Sequence, residues 1–509
     1  MTVTVRHLLA SLGSILLLLG LAGPAAAQGG DCDALMNLRI PNVRITTAEA
    51  IPGGTRWALP PSPFNLFLGP NAATDARFCR VAGVIEQEIG FEVWLPPQWN
   101  QRFLGVGNGG YTGAINYPAL IGGVSRGFAT ASTDTGHVTP DSFFDSRWIA
   151  GHPDRVENFG RRGHHRLAQV SKQIVRAFYG RRPAFSYFEG CSSGGWQGLT
   201  EAQQYPEDYD GIVAGAPANN FVRLQTRGFW LAALQRQSPA GDLGPSQNSL
   251  IAAAALAQCD PADGVRDGII GDPLQCGFDP ATLLCRPGQA ENCLTQAQVD
   301  RARLIHGPVR SAGGLDLYPG NPYGVPPFDA LPPGAMQGEL PILLVTEGRR
   351  TWTPATFDPD RDLPGLEAQV GATLGAWNSD LGAFRARGGK LITYHGWADP
   401  LLSAYNSIAY RDAVARRMGP EIAGFYRLFM VPGVEHCRGG PGTDRFDLLG
   451  QVIAWRERGV APDQVVASGR LPAGGTRTRL LCPHPQVARY GGTGSSDDAA
   501  SFRCVASGS

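Results

Sequence analysis

The sequence has no excess of charge and, after its first 27 residues, no long hydrophobic run. Lys plus Arg and Asp plus Glu number 44 each, so the formal net charge is zero. A balanced chain offers no charge-driven attraction for a polyanion, which makes nucleic acid a poor candidate for a partner. Gly, Pro or charged residues interrupt every later apolar run before it reaches the roughly 20 residues of a transmembrane helix. We therefore expect neither a nucleic-acid partner nor a membrane span.

The N-terminus has the organisation of a secretory signal peptide. An arginine and a histidine precede the apolar residues 15–21, and Gly23, Pro24 and three alanines lead to Gln28. A short apolar segment followed by small residues is typical of a cleaved signal. We expect cleavage after Ala27 and a secreted or periplasmic protein. The alternative, a membrane anchor, requires a longer apolar run without a cleavage site.

Ten cysteines in an exported chain can all be paired, because the compartment is oxidising. Spacing alone does not fix the connectivity. Close neighbours in the sequence suggest three pairs: Cys259 with Cys276, Cys285 with Cys293, and Cys482 with Cys504. Cys32 and Cys79 would then pair near the N-terminus, which leaves Cys191 and Cys437 for each other.

The pattern of the chain predicts the α/β class, with a mostly parallel sheet covered by helices. Residues 91–215 alternate short β-branched or aromatic runs with amphipathic segments of helix length. Residues 219–387 lose this periodicity, are rich in Gly, Pro, Asn and Asp, and contain four cysteines. We expect a catalytic domain at 28–218 and 388–509, with 219–387 inserted as a lid domain. A disordered linker is the alternative for the insertion.

A Gly-x-Ser-x-Gly motif, centred on Ser192, follows the apolar run 185–188 and precedes a segment of helix length. This context is typical of a nucleophile elbow, where a serine lies on a sharp turn and flanking glycines permit close backbone approach. Ser193 is a competing hydroxyl, but with Ser193 at the centre Cys191 would stand where the first glycine belongs. We predict Ser192 as the nucleophile.

Catalysis of acyl transfer also needs hydrogen-bond donors for the oxyanion. The backbone N–H of Ser193 is one candidate, because it follows the nucleophile. Gly109 and Gly110, in the loop after the strand-like run 103–106, are candidates for the second donor. A plain tight turn is the alternative reading of that loop.

The acid and the base are expected in the order serine, acid, histidine along the chain. Asp399 follows the apolar run 390–394, and His436 follows the next one, 426–431. His436 would take the serine proton, and Asp399 would orient the imidazole. His395 and Asp134 are the rivals, but His395 precedes the acid and Asp134 precedes the serine.

Cys191 adjoins the predicted nucleophile and Cys437 adjoins the predicted base. Because nucleophile and base must lie within hydrogen-bond reach, the two cysteines must also be close. Loop-closure theory assigns so long a bridge about 5 kcal/mol at most. Its role is then either to stabilise the fold or to fix the geometry of the triad.

Residues 259–269 place acidic side chains among glycines, a pattern that favours a bound cation. Hard oxygen donors suit Ca²⁺. The expected ligands are the side chains of Asp260, Asp263 and Asp267 and the carbonyls of Val265 and Ile269. The site would be structural, because it lies outside the triad. A solvated Asp/Gly turn is the alternative.

These motifs together resemble the tannase and feruloyl esterase family of α/β-hydrolases. The resemblance covers nearly the whole mature chain, and its most specific element is the pair of cysteines beside Ser192 and His436. Further matches are residues 158–160, 190–195, 205–211 and 260–269. One departure is Trp196, where many relatives carry arginine.

The resemblance implies an α/β-hydrolase fold with a lid domain, a structural Ca²⁺, the five disulfides above, and hydrolysis of aromatic acid esters. Hydrolysis of mono(2-hydroxyethyl) terephthalate is an alternative activity within the same family. The substrate would be a small aromatic ester bound between core and lid, where Trp352 and Phe357 would stack on it and Arg349 or Arg350 would meet a carboxylate. A serine peptidase or a non-catalytic binding protein remains the competing interpretation.

Overall fold

A computed structural model describes residues 1, 29–69, 71–139, 143–149, 151–227, 230, 238–324, 356–471 and 474–508. The expected signal peptide, Arg349, Arg350 and Trp352 lie outside these residues. The strands are β1 Val43–Ile51, β2 Trp57–Ala58, β3 Ala73–Thr74, β4 Phe78–Ile85, β5 Ile89–Leu95, β6 Arg102–Val106, β7 Ala129–Thr133, β8 Phe185–Cys191, β9 Gly211–Gly215, β10 Val309–Arg310, β11 Asp316–Tyr318, β12 Lys390–Gly396, β13 Tyr426–Val431, β14 Val465–Arg470, β15 Thr476–Leu481, β16 Gln486–Tyr490 and β17 Phe502–Ala506.

The α-helices follow the same chain order and mostly connect the strands of the main sheet. They are α1 Tyr117–Ser125, α2 Pro153–Glu157, α3 Gly163–Tyr179, α4 Ser193–Gln204, α5 Pro245–Cys259, α6 Gln296–His306, α7 Pro359–Leu374, α8 Gly382–Ala386, α9 Ala404–Met418 and α10 Leu448–Arg458. Among the described residues, no helix combines the length and the apolar character of a membrane span.

A nine-stranded sheet, in the order β1-β4-β5-β7-β6-β8-β9-β12-β13, forms the centre of the fold. The strands from β7 to β13 in this order are parallel, while β1, β4 and β5 pair antiparallel. Parallel strands end at the same edge of a sheet, so β8, β12 and β13 direct the segments that follow them to one place. The mostly parallel sheet with covering helices is the predicted α/β architecture.

Helices cover both faces of this sheet. Apolar side chains of α3 and α4, such as Ile174 and Leu199, belong to one buried cluster. Those of α1 and α10, such as Leu120 and Val452, belong to a second cluster on the opposite face. The alternating side chains of β8 divide between them, with Phe188 in the first cluster and Tyr187 in the second.

The segment predicted as a lid divides into two kinds of structure. Its central part has a small core of its own, which includes Leu243, Ile251 and Leu294. Its ends pack into the main core, through Phe221 on one side and Leu363 on the other. The described residues of the insertion are therefore partly a separate unit and partly a component of the main core.

Five disulfides join the ten cysteines, and their pairing is the one expected from the sequence: Cys32–Cys79, Cys191–Cys437, Cys259–Cys276, Cys285–Cys293 and Cys482–Cys504. Four of them close loops of 8 to 47 residues. The fifth, Cys191–Cys437, spans 246 residues and connects the ends of two strands of the main sheet.

Candidate active site

Ser192 lies between the end of β8 and the beginning of α4, in a strained backbone conformation. Its φ of 64° and ψ of −123° lie where residues with a Cβ are rarely found. Glycines on both sides permit the turn. A Cβ at Gly190 would lie 2.6 Å from the carbonyl carbon of Gly194, and a Cβ at Gly194 would lie 2.8 Å from the backbone carbonyl oxygen of Asn108. The two glycines of the motif thus have the steric role expected from the sequence.

The Ser193 hydroxyl, the rival to Ser192, already has a partner. It donates a hydrogen bond of 2.7 Å to the carbonyl oxygen of Gly110. Ser193 is 2% exposed and is the first residue of α4. Its hydroxyl therefore ties the elbow to the neighbouring loop, while Ser192 lines the cavity above the sheet.

Asp399 follows β12 and accepts hydrogen bonds on both carboxylate oxygens. His436 Nδ1 lies 2.8 Å from Oδ2, and the backbone N–H groups of Leu401 and Leu402 donate to Oδ1 over 2.8 and 3.0 Å. Burial opposes ionisation of this carboxyl, but the interactions with His436 and His395 outweigh it and hold the pKa of Asp399 below its usual range. Asp399 is thus a buried anion aimed at His436.

His436 follows β13, lines the cavity together with Ser192, and is attached to the loop of Ser192 through its neighbour Cys437. The Cα atoms of Cys191 and Cys437 are 6.0 Å apart. The disulfide therefore holds the residues after β8 and β13 close together. His436 keeps one nitrogen toward Asp399, which leaves Nε2 for a group in the cavity.

The two rival residues have structural partners elsewhere. His395 is fully buried, with its Nε2 3.1 Å from Asp399 Oδ2 and its Nδ1 2.7 Å from the Ser407 hydroxyl. It supports the carboxylate of Asp399 from behind. Asp134 accepts the backbone N–H groups of Gly90 and Gly136 at 2.8 Å each, and burial raises its pKa to about 7. Neither residue is among those that line the cavity.

Three backbone N–H groups near Ser192 are available as oxyanion donors. In the part of the chain that the structure describes, those of Gly109, Gly110 and Ser193 have no hydrogen-bond acceptor. Gly110 has a φ of 57°, and a Cβ there would lie 2.1 Å from the Phe143 carbonyl oxygen. The loop is therefore a specific glycine turn against a neighbouring segment, and all three residues line the cavity.

A buried polar network, which the sequence did not indicate, fixes this loop. The Asn108 side chain donates to the carbonyls of Ala114 and Thr133 and accepts from His164 Nε2 over 2.8 Å. The Asn108 N–H donates to Gln197 Oε1 over 2.9 Å, which connects the loop to α4. Burial lowers the pKa of His164 to about 3, so this histidine is a neutral donor. An alternation of polar and apolar residues carries no signal for such a long-range network.

A cavity of about 730 Å³ contains Ser192, His436 and the three donor residues in its wall. That volume is in the range of small-molecule sites. One wall is aromatic and consists of Phe64, Phe67, Tyr111, Phe143, Phe144 and Phe221. Arg438 also lines it, with its guanidinium 4.8 Å from the centroid of the Phe67 ring.

Two further residues from the sequence analysis have positions in the structure. Trp196 is fully buried beneath the elbow, where its ring stacks on Phe221 and packs against Phe159. Phe357 packs against the main core and is not among the described residues that line the cavity. Trp352 lies outside the described residues, and the described aromatic residues that line the cavity are those of the wall named above.

The acidic loop at 260–269 has a network of its own. Asp260 accepts the N–H groups of Asp267 and Gly268, and Asp263 accepts that of Val265. Asp267 forms ion pairs with Arg477 and Arg479 of β15. Burial and the two neighbouring acids raise the pKa of Asp263 to about 6.

The donor chemistry of this loop fits a hard cation. Asp267 Oδ1 is buried and has no hydrogen-bond partner in the described part of the chain, and a cation would relieve the mutual repulsion of the carboxylates. The three carboxylates are not as close as a compact site requires. Of the described residues, only His165, Glu201 and Asp208 bring three ligand atoms within 4.8 Å of one another. The two arginines, which the sequence did not indicate, already balance part of the negative charge.

Known proteins resemble this chain along most of its length. The profile of the family described as tannase and feruloyl esterase matches residues 73–330 and 360–505. An uncharacterized esterase of Xanthomonas campestris pv. campestris is 35% identical, over 98% of this chain and 95% of its own. A probable feruloyl esterase B-2 of Aspergillus terreus is 33% identical, over 93% of this chain and 95% of its own.

The fold is also that of a solved relative. The crystal structure of feruloyl esterase B from Aspergillus oryzae superposes with a TM-score of 0.85 and 29% identity, covering 93% of this chain and 99% of that one. The resemblance found in the sequence is thereby confirmed, as are the α/β-hydrolase type of fold and the ester hydrolase class. The chain belongs to the tannase and feruloyl esterase family and is a carboxylic ester hydrolase.

Proposed function

We propose that this esterase is an exported enzyme that cleaves esters of aromatic acids through Ser192, His436 and Asp399. The observation that carries the proposal is the pairing of a strained serine with a histidine that is hydrogen-bonded to a buried carboxylate in one cavity. A nucleophile, a base and a group that orients the base are what acyl transfer requires.

Each residue of the triad has a defined step. Ser192 Oγ attacks the ester carbonyl while His436 Nε2 takes its proton, and Asp399 stabilises the imidazolium that results. The N–H groups of Ser193 and of Gly109 or Gly110 donate to the oxyanion. His436 then returns the proton to the leaving alcohol. Water, activated in the same way, releases the acid from the acyl-enzyme and restores Ser192.

The aromatic wall of the cavity favours an aromatic acyl group. Rings gain about 0.5–1.5 kcal/mol beyond area burial when they stack or pack edge to face, and the wall presents several ring faces and edges. The names of the relatives point the same way, because they describe feruloyl esterases. A terephthalate monoester is the second candidate, and Arg438 is the cavity residue that would meet its carboxylate.

Export of the protein is supported by the arrangement of its cysteines. All ten are paired, which is typical of oxidising compartments. This agrees with the signal peptide expected at residues 1–27. Detection of the mature protein outside the cytoplasm, with an N-terminus at Gln28, would test this part of the proposal.

A panel of kcat/KM values tests the activity. The kcat/KM values for methyl gallate, methyl ferulate and mono(2-hydroxyethyl) terephthalate are compared with those for the matching amides of the same acids, because specificity is a ratio of these constants. We expect ester hydrolysis to dominate and the Ser192→Ala variant to lose it. Retained hydrolysis in Ser192→Ala would overturn the nucleophile. Faster turnover of the amides would favour a peptidase instead.

We also propose a structural Ca²⁺ held by Asp260, Asp263 and Asp267 and by the carbonyls of Val265 and Ile269. Bound there, the ion would offset two of the three negative charges, and Asp267, which pairs with Arg477 and Arg479, would connect it to β15. EDTA should lower the Tm, and Ca²⁺ should restore it. The Asp263→Asn variant should have the lower Tm and no response to EDTA. A wild-type Tm that does not respond to EDTA would exclude the ion.

A further inference from the structure

One carboxylate in the cavity wall has no part in the proposed chemistry. Glu189 lies on β8, three residues before Ser192, and lines the cavity. Alternation along the strand places it on the same face as Tyr187, which packs in the apolar cluster of α1 and α10. Strands in the middle of a parallel sheet are ordinarily apolar on both faces, so a glutamate at this position is unexpected.

The Glu189 carboxylate has no hydrogen-bond or ion-pair partner among the described residues. The nearest charges, Arg126 and Asp447, pair with each other over 3.1 Å. Burial raises the pKa of Glu189. Glu92 of β5 provides a contrast, because its buried carboxylate accepts from Arg80, Trp94 and Tyr117. Glu189 is only partly buried and faces the cavity, so its carboxylate is open to hydrogen bonds from a ligand that carries donors.

Space for such a ligand exists between α1 and α10. Helix α1 carries two consecutive glycines, and glycine inside a helix costs about 1 kcal/mol relative to alanine. Gly123 is required, because a Cβ would lie 2.8 Å from Thr130 Oγ1. Gly122 is exposed, has no atom within 4 Å of its virtual Cβ, and lines the cavity. Its missing side chain keeps open the part of the cavity lined by Leu104, Ala119, Gly122, Glu189 and Leu449, which we call the Glu189 crevice.

We propose that the Glu189 crevice binds the alcohol portion of the ester and that Glu189 accepts hydrogen bonds from its hydroxyl groups. This inference rests on the proposed function, since it assigns the acyl ring to the aromatic wall and the remainder of the ester to another part of the same cavity. The preferred substrate is then an aromatic ester of a polyhydroxy alcohol. An apolar alcohol of the same size would displace water from the carboxylate without offering it a hydrogen bond.

Two esters of one aromatic acid test this preference. The glyceryl and 2-methylbutyl alcohols have the same number and branching of heavy atoms, and only the first carries free hydroxyls. In the wild type we expect a higher kcat/KM for the glyceryl ester. In Glu189→Leu the glyceryl to 2-methylbutyl ratio should fall about tenfold or more, the size of a lost hydrogen bond to a charged group. An unchanged ratio would overturn the role of Glu189.

A second variant tests the crevice without changing the carboxylate. Gly122→Leu fills the open space, and it should raise the KM of both bulky esters relative to that of the methyl ester. Ser125→Leu is the matched control, because Ser125 is also an exposed residue of α1 but is not among the described residues that line the cavity. Equal effects of the two leucines, or no effect of Gly122→Leu, would contradict the crevice.

The outcomes separate the two proposals. If the wild type hydrolyses none of the aromatic esters, the proposed function fails. If it hydrolyses the methyl ester and the bulky ester ratio is the same in wild type and Glu189→Leu, the esterase stands and the crevice assignment fails.

Discussion

Two regions of this molecule combine a histidine with buried carboxylates, and the pKa of the buried carboxyl is lowered in one region and raised in the other. Around Asp399, four donors from His436, His395 and two backbone N–H groups stabilise the anion. Between α3 and α4, Glu201 is 1% exposed, and no donor from the described residues reaches either of its oxygens. The number of donors, rather than burial itself, separates the two.

In the second region two acids, Glu201 and Asp208, lie close together. The nearby positively charged or donor groups lie beside Asp208 rather than Glu201. His165 Nδ1 is 2.6 Å from one oxygen of Asp208, and Lys172 Nζ is 3.7 Å from the other. Burial and the neighbouring Asp208 raise the pKa of Glu201, while Lys172 opposes this only in part. A carboxyl with a raised pKa thus lies on the helix that begins after Ser192. The first region therefore stabilises the ionised form of Asp399, and the second disfavours the ionised form of Glu201.

The largest expected effect comes from removing the charge of the first region. Asp399→Asn should lower kcat by about 10⁴-fold, because the imidazolium loses its partner and His436 can adopt the wrong tautomer. Circular dichroism checks that the variant is folded. Asp134→Asn is the control, since that acid lies outside the cavity wall, and its kcat should stay near that of the wild type. Similar losses in both variants would contradict the assignment of Asp399.

The next effect concerns the disulfide Cys191–Cys437, which connects the first region to the loop of Ser192. Replacing Cys191 and Cys437 by alanine should lower both stability, by about 5 kcal/mol in loop-closure theory, and kcat. Removal of Cys285–Cys293, which closes an 8-residue loop, should cost about half as much and leave kcat unchanged. Stability is measured by thermal unfolding. A loss of stability with unchanged kcat in the first variant would limit the bridge to a stabilising role.

The smallest effect should come from the second region and should depend on pH. Because the folded pKa of Glu201 is raised, the unfolded chain ionises first as the pH rises above about 4.3, and the fold loses stability until Glu201 also ionises. Glu201→Gln does not ionise. Its Tm should exceed that of the wild type at pH 8, for a gain of about 1–3 kcal/mol, and equal it at pH 4.

The neighbouring Glu207→Gln is the control for this change, because Glu207 is exposed. It should alter the Tm little at either pH. A Tm difference for Glu201→Gln that is the same at pH 4 and pH 8 would mean that the two regions do not differ in charge state.

The features that could be predicted from the sequence are formed by residues close together in the chain or by the order of successive strands. The elbow at Ser192 is local, because its glycines lie within two residues, and four of the disulfides join cysteines 8 to 47 residues apart. Asp399 and His436 could be assigned from their order after successive strands. These features depend on neighbouring residues or on the topology of a parallel sheet, and both leave a pattern in the sequence.

The remaining features depend on contacts that leave no such pattern. His164 reaches Asn108 from a helix 56 residues away, and Arg479 reaches Asp267 across 212 residues. The placement of Glu189 opposite α1 and α10 follows from packing of the whole sheet. A single arginine or glutamate has the same local context whether it lies in solvent or in such a network, so its role becomes visible only in three dimensions.

The pairing of Asp267 with Arg477 and Arg479 also bears on how the molecule is made. A ribosome synthesises the acidic loop about 200 residues before these arginines, and the side of that loop against β15 stays uncovered until the last strands emerge. The apolar cluster around Val265 also forms only after Leu480 and Phe502 have been synthesised. A chain cut short before β15 would therefore expose a corner of acidic and apolar residues, a signal by which quality control in the cell could distinguish unfinished copies from complete ones.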